Sequence, residues 1–104
     1  MITADQVRAL ALALPQTVEA DHHGRPSFRV AGKIFATLWS ADQLNLMLDE
    51  AGIHTAVQAR PDSCSPRFWG RRLAAVQVDL RLVDESVVAQ LLTDAWEHKA
   101  STGK

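Results

Sequence analysis

Basic side chains are the residues of this 104-residue sequence whose type and spacing most clearly indicate chemistry. Within the stretch 60–72 four arginines stand against one acid, Asp62, and three further cations lie close together between positions 25 and 33. The stretch 84–97 holds four acids and neither lysine nor arginine. If the two basic stretches share one side, the molecule is electrically bipolar, and that side can bind phosphates although the net charge is only −1.

Six residues of the two basic stretches form a candidate nucleic-acid site. Their cations would contact phosphates, and Trp69, which stands among three arginines, would stack on a base. Two other interpretations stay open, because arginines in turns are ordinary solvated residues and Trp69 can equally anchor a hairpin in the core. The candidate residues are Arg29, Lys33, Arg67, Trp69, Arg71 and Arg72.

A second group of residues has the chemistry of metal ligands. Glu19, Asp21, His22 and His23 place four candidate ligands within five positions. Their spacing matches no standard metal motif, and adjacent side chains in an extended loop point apart. We therefore expect no specifically bound metal.

No residue pattern indicates catalysis. Cys64 has no helix N-terminus or charged partner in view that would lower its pKa, and its neighbours Ser63, Ser65 and Pro66 predict a loop thiol. The sequence contains no serine nucleophile elbow and no glycine-rich phosphate loop. We expect a protein that is not an enzyme and that carries no cofactor.

Helices at the two ends of the chain are predicted from caps and apolar periodicity. Thr3 and Gln6 have the spacing of a capping box, and Pro15 ends the first helix. Asp84 caps the last helix, whose apolar stripe includes Trp96 as a core residue. The apolar positions that should bring these two helices together are Val7, Leu10, Leu14, Leu91, Leu92 and Trp96.

Strand patterns occupy most of the middle of the chain. After a loop over residues 16–26, a hairpin spans 27–39 with its turn at Ala31-Gly32. A third strand follows a turn at Asp42-Gln43, and a short helix runs from a cap at Asp49 to about residue 59. The composition of residues 61–67 predicts a loop, and two strands are predicted to cover about 68–81.

These elements predict an α+β fold in the order α-β-β-β-α-β-β-α, a two-layer sandwich with the helices on one face of an antiparallel sheet. The other face stays open and should present Arg29 and Gln77. The strand at 33–39 offers two side-chain pairs, Phe35 with Trp39 and Ile34 with Leu38, and alternation alone does not decide which pair faces the helices.

Length and composition narrow the class of protein. A chain of 104 residues with 47% hydrophobic content can build one core, so we expect a single domain over residues 1–104. One cysteine excludes an internal disulfide and fits a reducing compartment. With neither a leader pattern nor an apolar run of membrane-spanning length, we expect a cytoplasmic protein without a membrane partner.

One run of residues is similar to a known signature, Gly24-Arg-Pro26-Ser-Phe28 followed by Gly32-Lys33-Ile-Phe35-Ala36. With Leu14-Pro15, the strand region 68–80 and the closing run 91–96, it resembles the MmcQ/YjbR family over nearly the whole chain. The resemblance implies a small bacterial α+β protein with a frataxin-like fold and a DNA-binding role. It does not extend to the iron binding of frataxin, because the first helix holds only one acid, Asp5.

The residues and the resemblance together predict a non-enzymatic protein that binds DNA weakly and without sequence preference, through phosphate contacts. The alternative is a module that binds a protein or a small ligand on the open face of the sheet.

Overall fold

Side-chain caps set the start of each helix. The structure, a computed structural model, describes residues 1–101. Helix α1, Ala4–Leu12, begins at Thr3, whose hydroxyl accepts from the Gln6 amide at 3.2 Å while the Gln6 side chain accepts from the Thr3 amide at 2.8 Å. Asp49 caps α2, Glu50–Ala59, by accepting from the Gly52 amide at 2.7 Å. Asp84 accepts from the Val87 amide at 3.2 Å and begins α3, Glu85–Ser101. The three predicted caps are therefore confirmed.

The strands form one antiparallel sheet in the order β1-β2-β3-β4-β6-β5. The overall chain order is α-β-β-β-β-α-β-β-α, so the α+β class with an antiparallel sheet is confirmed and one strand is added to the predicted order. The strands are β1 Val18–His22, β2 Arg25–Val30, β3 Lys33–Ser40, β4 Gln43–Leu46, β5 Cys64–Trp69 and β6 Arg72–Asp79.

The added strand, β1, occupies the region predicted as a loop over residues 16–26. It is an edge strand with little buried surface, so it has no apolar alternation for a sequence pattern to detect. Its register is set by pairing with β2 through a two-residue turn in which His23 has φ 54° and Gly24 φ 83°. Positive φ at both positions is the type I′ geometry that matches the twist of a hairpin.

The other edge strand, β5, begins at Cys64, inside the predicted 61–67 loop. Five of its six residues are exposed, and Pro66 occupies a position that only an edge strand tolerates. The predicted turn at Ala31-Gly32 is confirmed, with φ of 53° and 77° at its two residues. The next turn lies at Ala41-Asp42, one residue before the predicted position.

The helices cover one face of the sheet. Buried side chains form a row across four strands through the paired residues Phe28, Ala36, Leu46 and Val76. α3 packs on β3 and contacts α1, and α2 packs on β5 and β6. Packing of the terminal helices through the predicted apolar positions is confirmed: Val7 and Leu92 are fully buried and the other four are partly buried against the core. Trp96 also donates its indole N–H to the Pro15 carbonyl at 3.0 Å.

A bulge in β3 decides which of its side chains face the helices. Phe28 pairs with Ala36 and Arg29 with Ile34, so Phe35 is an extra residue between them. Phe35 and Ala36 are both fully buried in the core with Leu38, whereas Ile34 and Trp39 lie on the open face. Neither of the two side-chain pairs offered by alternation stays on one face, because the bulge reverses the alternation within the strand.

None of the helices within residues 1–101 is both long and apolar enough to cross a membrane.

Candidate functional site

The open face of the sheet carries a row of neutral polar side chains. Ser27, Thr37, Asn45 and Gln77 are direct partners across β2, β3, β4 and β6. Ser27 is fully buried, and only 4% of Thr37 and 8% of Asn45 are exposed, although this face points away from the helices. Larger side chains at the margins of the sheet therefore cover the row and leave a groove above it.

That groove has a volume of about 670 Å³. Thr37 and Asn45 form its floor with Ile34 and Met47 beside them, and aromatic rings reach it from Trp39 and Trp69. His22 and His23 also line it, at the end of β1. Four cations complete the lining, and no residue of the lining among residues 1–101 is acidic. The cations are Arg25, Arg29, Lys33 and Lys99.

Two arginines of the groove are held by neutral acceptors. Arg25 donates from Nε to the Trp39 carbonyl at 2.9 Å, and its guanidinium lies 3.8 Å from the centre of the Trp39 ring. Arg29 donates to the Ser27 hydroxyl and to the Asp21 carbonyl, each at 3.3 Å. The ion pairs within residues 1–101 involve other residues, namely Arg8 with Asp5 and Glu19, and Arg81 with Asp79. The positive charge of the two groove arginines is therefore not cancelled by a bonded carboxylate.

A chain of hydrogen-bonded side chains ends at the groove floor. The Ser40 hydroxyl donates to Gln43 Oε1 at 3.2 Å, and Gln43 Nε2 donates to Gln77 Oε1 at 3.3 Å. Gln77 Nε2 then donates to Asn45 Oδ1 at 2.9 Å. Gln43 and Gln77 thus each accept on one side and donate on the other, and Asn45 ends the chain as an acceptor whose Nδ2 group the chain does not use.

The structure brings most of the predicted site residues to one side. Arg29, Lys33 and Trp69 line the groove, and the Arg72 guanidinium lies 5.5 Å from the centre of the Trp69 ring. Arg67 lies two residues after Ser65, the partner of Gln77, so it lies on the open face of the sheet. Arg71 lies in the turn between β5 and β6, outside the groove lining.

Trp69 is 54% exposed, so the alternative that it anchors the hairpin in the core is wrong. The aromatic ring stays in solvent because β5 is an edge strand whose side chains lie at the margin of the sheet.

Several residues of the groove were missed from sequence. Arg25 belongs to the basic first hairpin and had a charge signal, but Lys99 comes from the far end of α3 and had none. Thr37 and Asn45 are ordinary polar positions in alternating strands. Their convergence depends on cross-strand register, which links residues far apart in the chain.

The four candidate metal ligands have separate roles. Glu19 accepts from Arg8 at 2.8 Å, and Asp21 accepts from the Gly24 amide at 3.2 Å in the β1–β2 turn. The His22 and His23 rings meet edge to face, 4.5 Å apart. Within residues 1–101 no three His, Cys, Asp or Glu side chains gather in a metal-binding cluster.

Cys64 differs from the predicted loop thiol. It is the first residue of β5, only 2% exposed, and packs in the core cluster. Burial raises the pKa of its thiol, which opposes the smaller lowering effects of the Ser63 hydroxyl and Arg60. A thiol in this environment stays protonated and is a poor nucleophile.

The helical side of the molecule has the opposite charge character. A second groove of about 590 Å³ lies between α2 and α3 and includes Asp49, Asp94 and Glu97 in its lining, with Arg60 and His98. Acids thus predominate on the helical side and cations on the open sheet face.

The fold and the groove together define a class: small α+β proteins in which helices cover one face of an antiparallel sheet and the other face forms a basic cleft. The crystal structure of Deinococcus radiodurans protein DR2400, which has a DUF419 domain, shares this fold with a TM-score of 0.84 at 22% sequence identity, over 100% of this chain and 83% of that one. The YjbR family profile matches residues 12–98, and the chain belongs to the YjbR family. No curated protein matches it significantly.

Proposed function

We propose that this protein binds nucleic acid, and DNA in particular, without catalysing a reaction, and that phosphates lie along the basic groove of the open sheet face. The observation that carries the proposal is the meeting of cations from distant parts of the chain on one groove whose lining includes no acid within residues 1–101. Arg29 and Lys33 arrive from the first hairpin and Lys99 from the last helix.

Charge distribution supports phosphate binding in spite of the net charge of −1. The groove concentrates positive charge, while acids are grouped in the cleft between α2 and α3. A ligand with regularly spaced negative charges is attracted to the first surface and repelled by the second. Phosphate contacts of this kind position a nucleic acid but do not read its sequence, so duplex binding should be weak and non-specific.

The aromatic residues favour contact with an unpaired base. Trp69 is more than half exposed and has the Arg72 guanidinium near its ring, so its free ring surface is available for stacking. Trp39 is less suited, because Arg25 already lies against its ring at 3.8 Å.

Anisotropy of labelled duplex and single-stranded DNA, measured against salt concentration, tests the proposal. Four or five phosphate contacts predict that log affinity falls against log salt with a slope of roughly −4 on duplex DNA. Replacing Lys33 and Arg72 with glutamine should reduce this slope by nearly two units and weaken all duplex sequences alike. Trp69→Leu should weaken the binding of single-stranded DNA by about 1–3 kcal/mol and change the binding of duplex DNA little.

The matched control removes the same charge elsewhere. Arg60→Gln with Arg81→Gln lowers the net charge equally at positions outside the groove lining, so its slope should stay close to that of the wild type. Absence of DNA binding at low salt, where the electrostatic contribution is greatest, would refute the proposal.

A further inference from the structure

Two polar groups on the groove floor, one from Asn45 and one from Thr37, are not used in hydrogen bonds within residues 1–101. Asn45 Oδ1 accepts from Gln77, but within residues 1–101 the Asn45 Nδ2 group and the Thr37 hydroxyl make no hydrogen bond. Both residues are more than nine-tenths buried and both line the groove. Neither group is sealed off, since the buried side-chain atom without a partner within residues 1–101 is the Thr17 hydroxyl, so both groups can bond a ligand that enters the groove.

The amide chain determines which kind of ligand group fits. Gln77 bonds the oxygen of Asn45, so the Asn45 group left without a partner is Nδ2, which can only donate. The Thr37 hydroxyl can donate or accept. Reversing Asn45 alone would set its Nδ2 group against Gln77 Nε2, donor against donor. The floor therefore favours a ligand that presents an oxygen acceptor.

The walls and rim restrict the ligand further. Ile34 and Met47 give apolar contact beside the donors, and Lys33 and Arg29 place positive charge at the groove margin. A volume of about 670 Å³ falls among small-molecule sites, which span about 300–1,000 Å³. A flat polar ring with a carbonyl at one end and an anionic group at the other meets these conditions.

From this geometry we infer that the groove holds one nucleotide, with its phosphate on the cationic margin and the exocyclic group at C4 of a pyrimidine or C6 of a purine, remote from the sugar, on Asn45 and Thr37. Uracil and thymine present O4 and guanine presents O6 at that position, whereas cytosine and adenine present an amino group there, which sets donor against donor. The inference rests on the proposed function in taking the ligand to be a nucleotide. It adds base selection, and the nucleotide is either free or the unpaired unit of a strand.

Uracil and cytosine have the same size and shape and differ at position 4 and in the hydrogen on N3, which makes them matched probes. We expect UMP to bind roughly tenfold more tightly than CMP, because the amino group of cytosine leaves the Asn45 donor unpaired. Single strands of about eight deoxyuridines or about eight deoxycytidines should show the same ratio. Titration calorimetry on the full chain measures both pairs. Asn45→Leu, which removes the donor at similar volume, should bring the ratio close to one.

Two further variants separate base recognition from folding. Ser65→Ala alters the same cross-strand row at its exposed end, outside the groove lining, and should keep the ratio. Thr37→Val should weaken the binding of UMP and of CMP about equally, because a hydroxyl can donate to or accept from either base. This variant tests whether the groove floor contacts the nucleotide even if the Asn45 variant does not fold.

The outcomes distinguish this inference from the proposed function. Preference for uracil in both the mononucleotide and the strand supports both, and preference in UMP without any oligonucleotide binding supports a free nucleotide and refutes DNA binding. Equal affinity for UMP and CMP with salt-dependent DNA binding overturns base selection and leaves the proposed function standing. A preference that survives in Asn45→Leu, or no binding of any probe, also overturns it.

Discussion

At the scale of single residues, the sequence predicts the position of charged side chains better than it predicts how far a side chain is buried. Arg29, Lys33 and Trp69 were identified from type and spacing, and all three line the groove. The burial of Cys64 was not predicted, and the exposure of Trp69 was one of two alternatives left open, because both depend on the place of β5 at the margin of the sheet. The composition of a short segment does not carry that information, so the loop predicted for residues 61–67 holds a buried thiol.

The buried thiol leads to a prediction at this scale. We expect Cys64 in the folded protein to react with a disulfide reagent such as DTNB far more slowly than the same thiol in urea, because burial blocks access and raises its pKa. Absorbance of the released thiolate, followed at several pH values, measures the rate. Equal rates with and without urea would contradict the placement of Cys64 in the core.

At the scale of elements, the sequence predicts the helix caps and the turn that depend on residues close together in the chain. The caps at Thr3, Asp49 and Asp84 and the turn at Ala31-Gly32 each depend on residues within a few positions of one another. Strand β1 and the bulge at Phe35 depend on pairing with β2, so no short-range pattern reveals them. The groove floor could not be predicted for the same reason, because pairing between strands brings its residues together.

The turn at Ala31-Gly32 supplies the prediction for an element. Gly32 has φ 77°, and a Cβ added there would meet no atom within 4 Å, so the cost of Gly32→Ala is conformational alone. We expect it to lower the free energy of unfolding by roughly 1–2 kcal/mol, measured by urea denaturation. The partner variant Ala31→Gly starts from φ 53° and should have an effect near zero, because relief of strain offsets the added chain entropy. Equal effects of the two variants would contradict the left-handed geometry.

At the scale of the whole molecule, the terminal helices and the sheet form one hydrophobic core, as the apolar stripes predicted. The division into a helical side and an open side was also predicted from the order of elements. The depth of the groove on the open side was not, since it arises from the combined placement of side chains from five strands and α3.

Trp96 tests the packing of this core. It lies against the core and bonds the Pro15 carbonyl, so it links α3 to the segment that follows α1. We expect Trp96→Ala to lower the free energy of unfolding by about 3 kcal/mol, at the low end for buried aromatics because the residue is only partly buried. Leu82→Ala, at a residue that is 59% exposed, is the control and should change the urea midpoint little. An unchanged midpoint for the Trp96 variant would refute this packing.

The bulge in β3 also determines where the strand can lose one residue and still keep its remaining side chains on their present faces. Removing one residue from a regular strand turns every later side chain to the opposite face. In β3, Phe35 and Ala36 already share a face, so loss of Ala36 would restore simple alternation and leave Ile34 and Thr37 where they are now. A single-codon deletion at Ala36 should therefore be tolerated far better than one at Leu44 in β4, where the strand alternates without interruption.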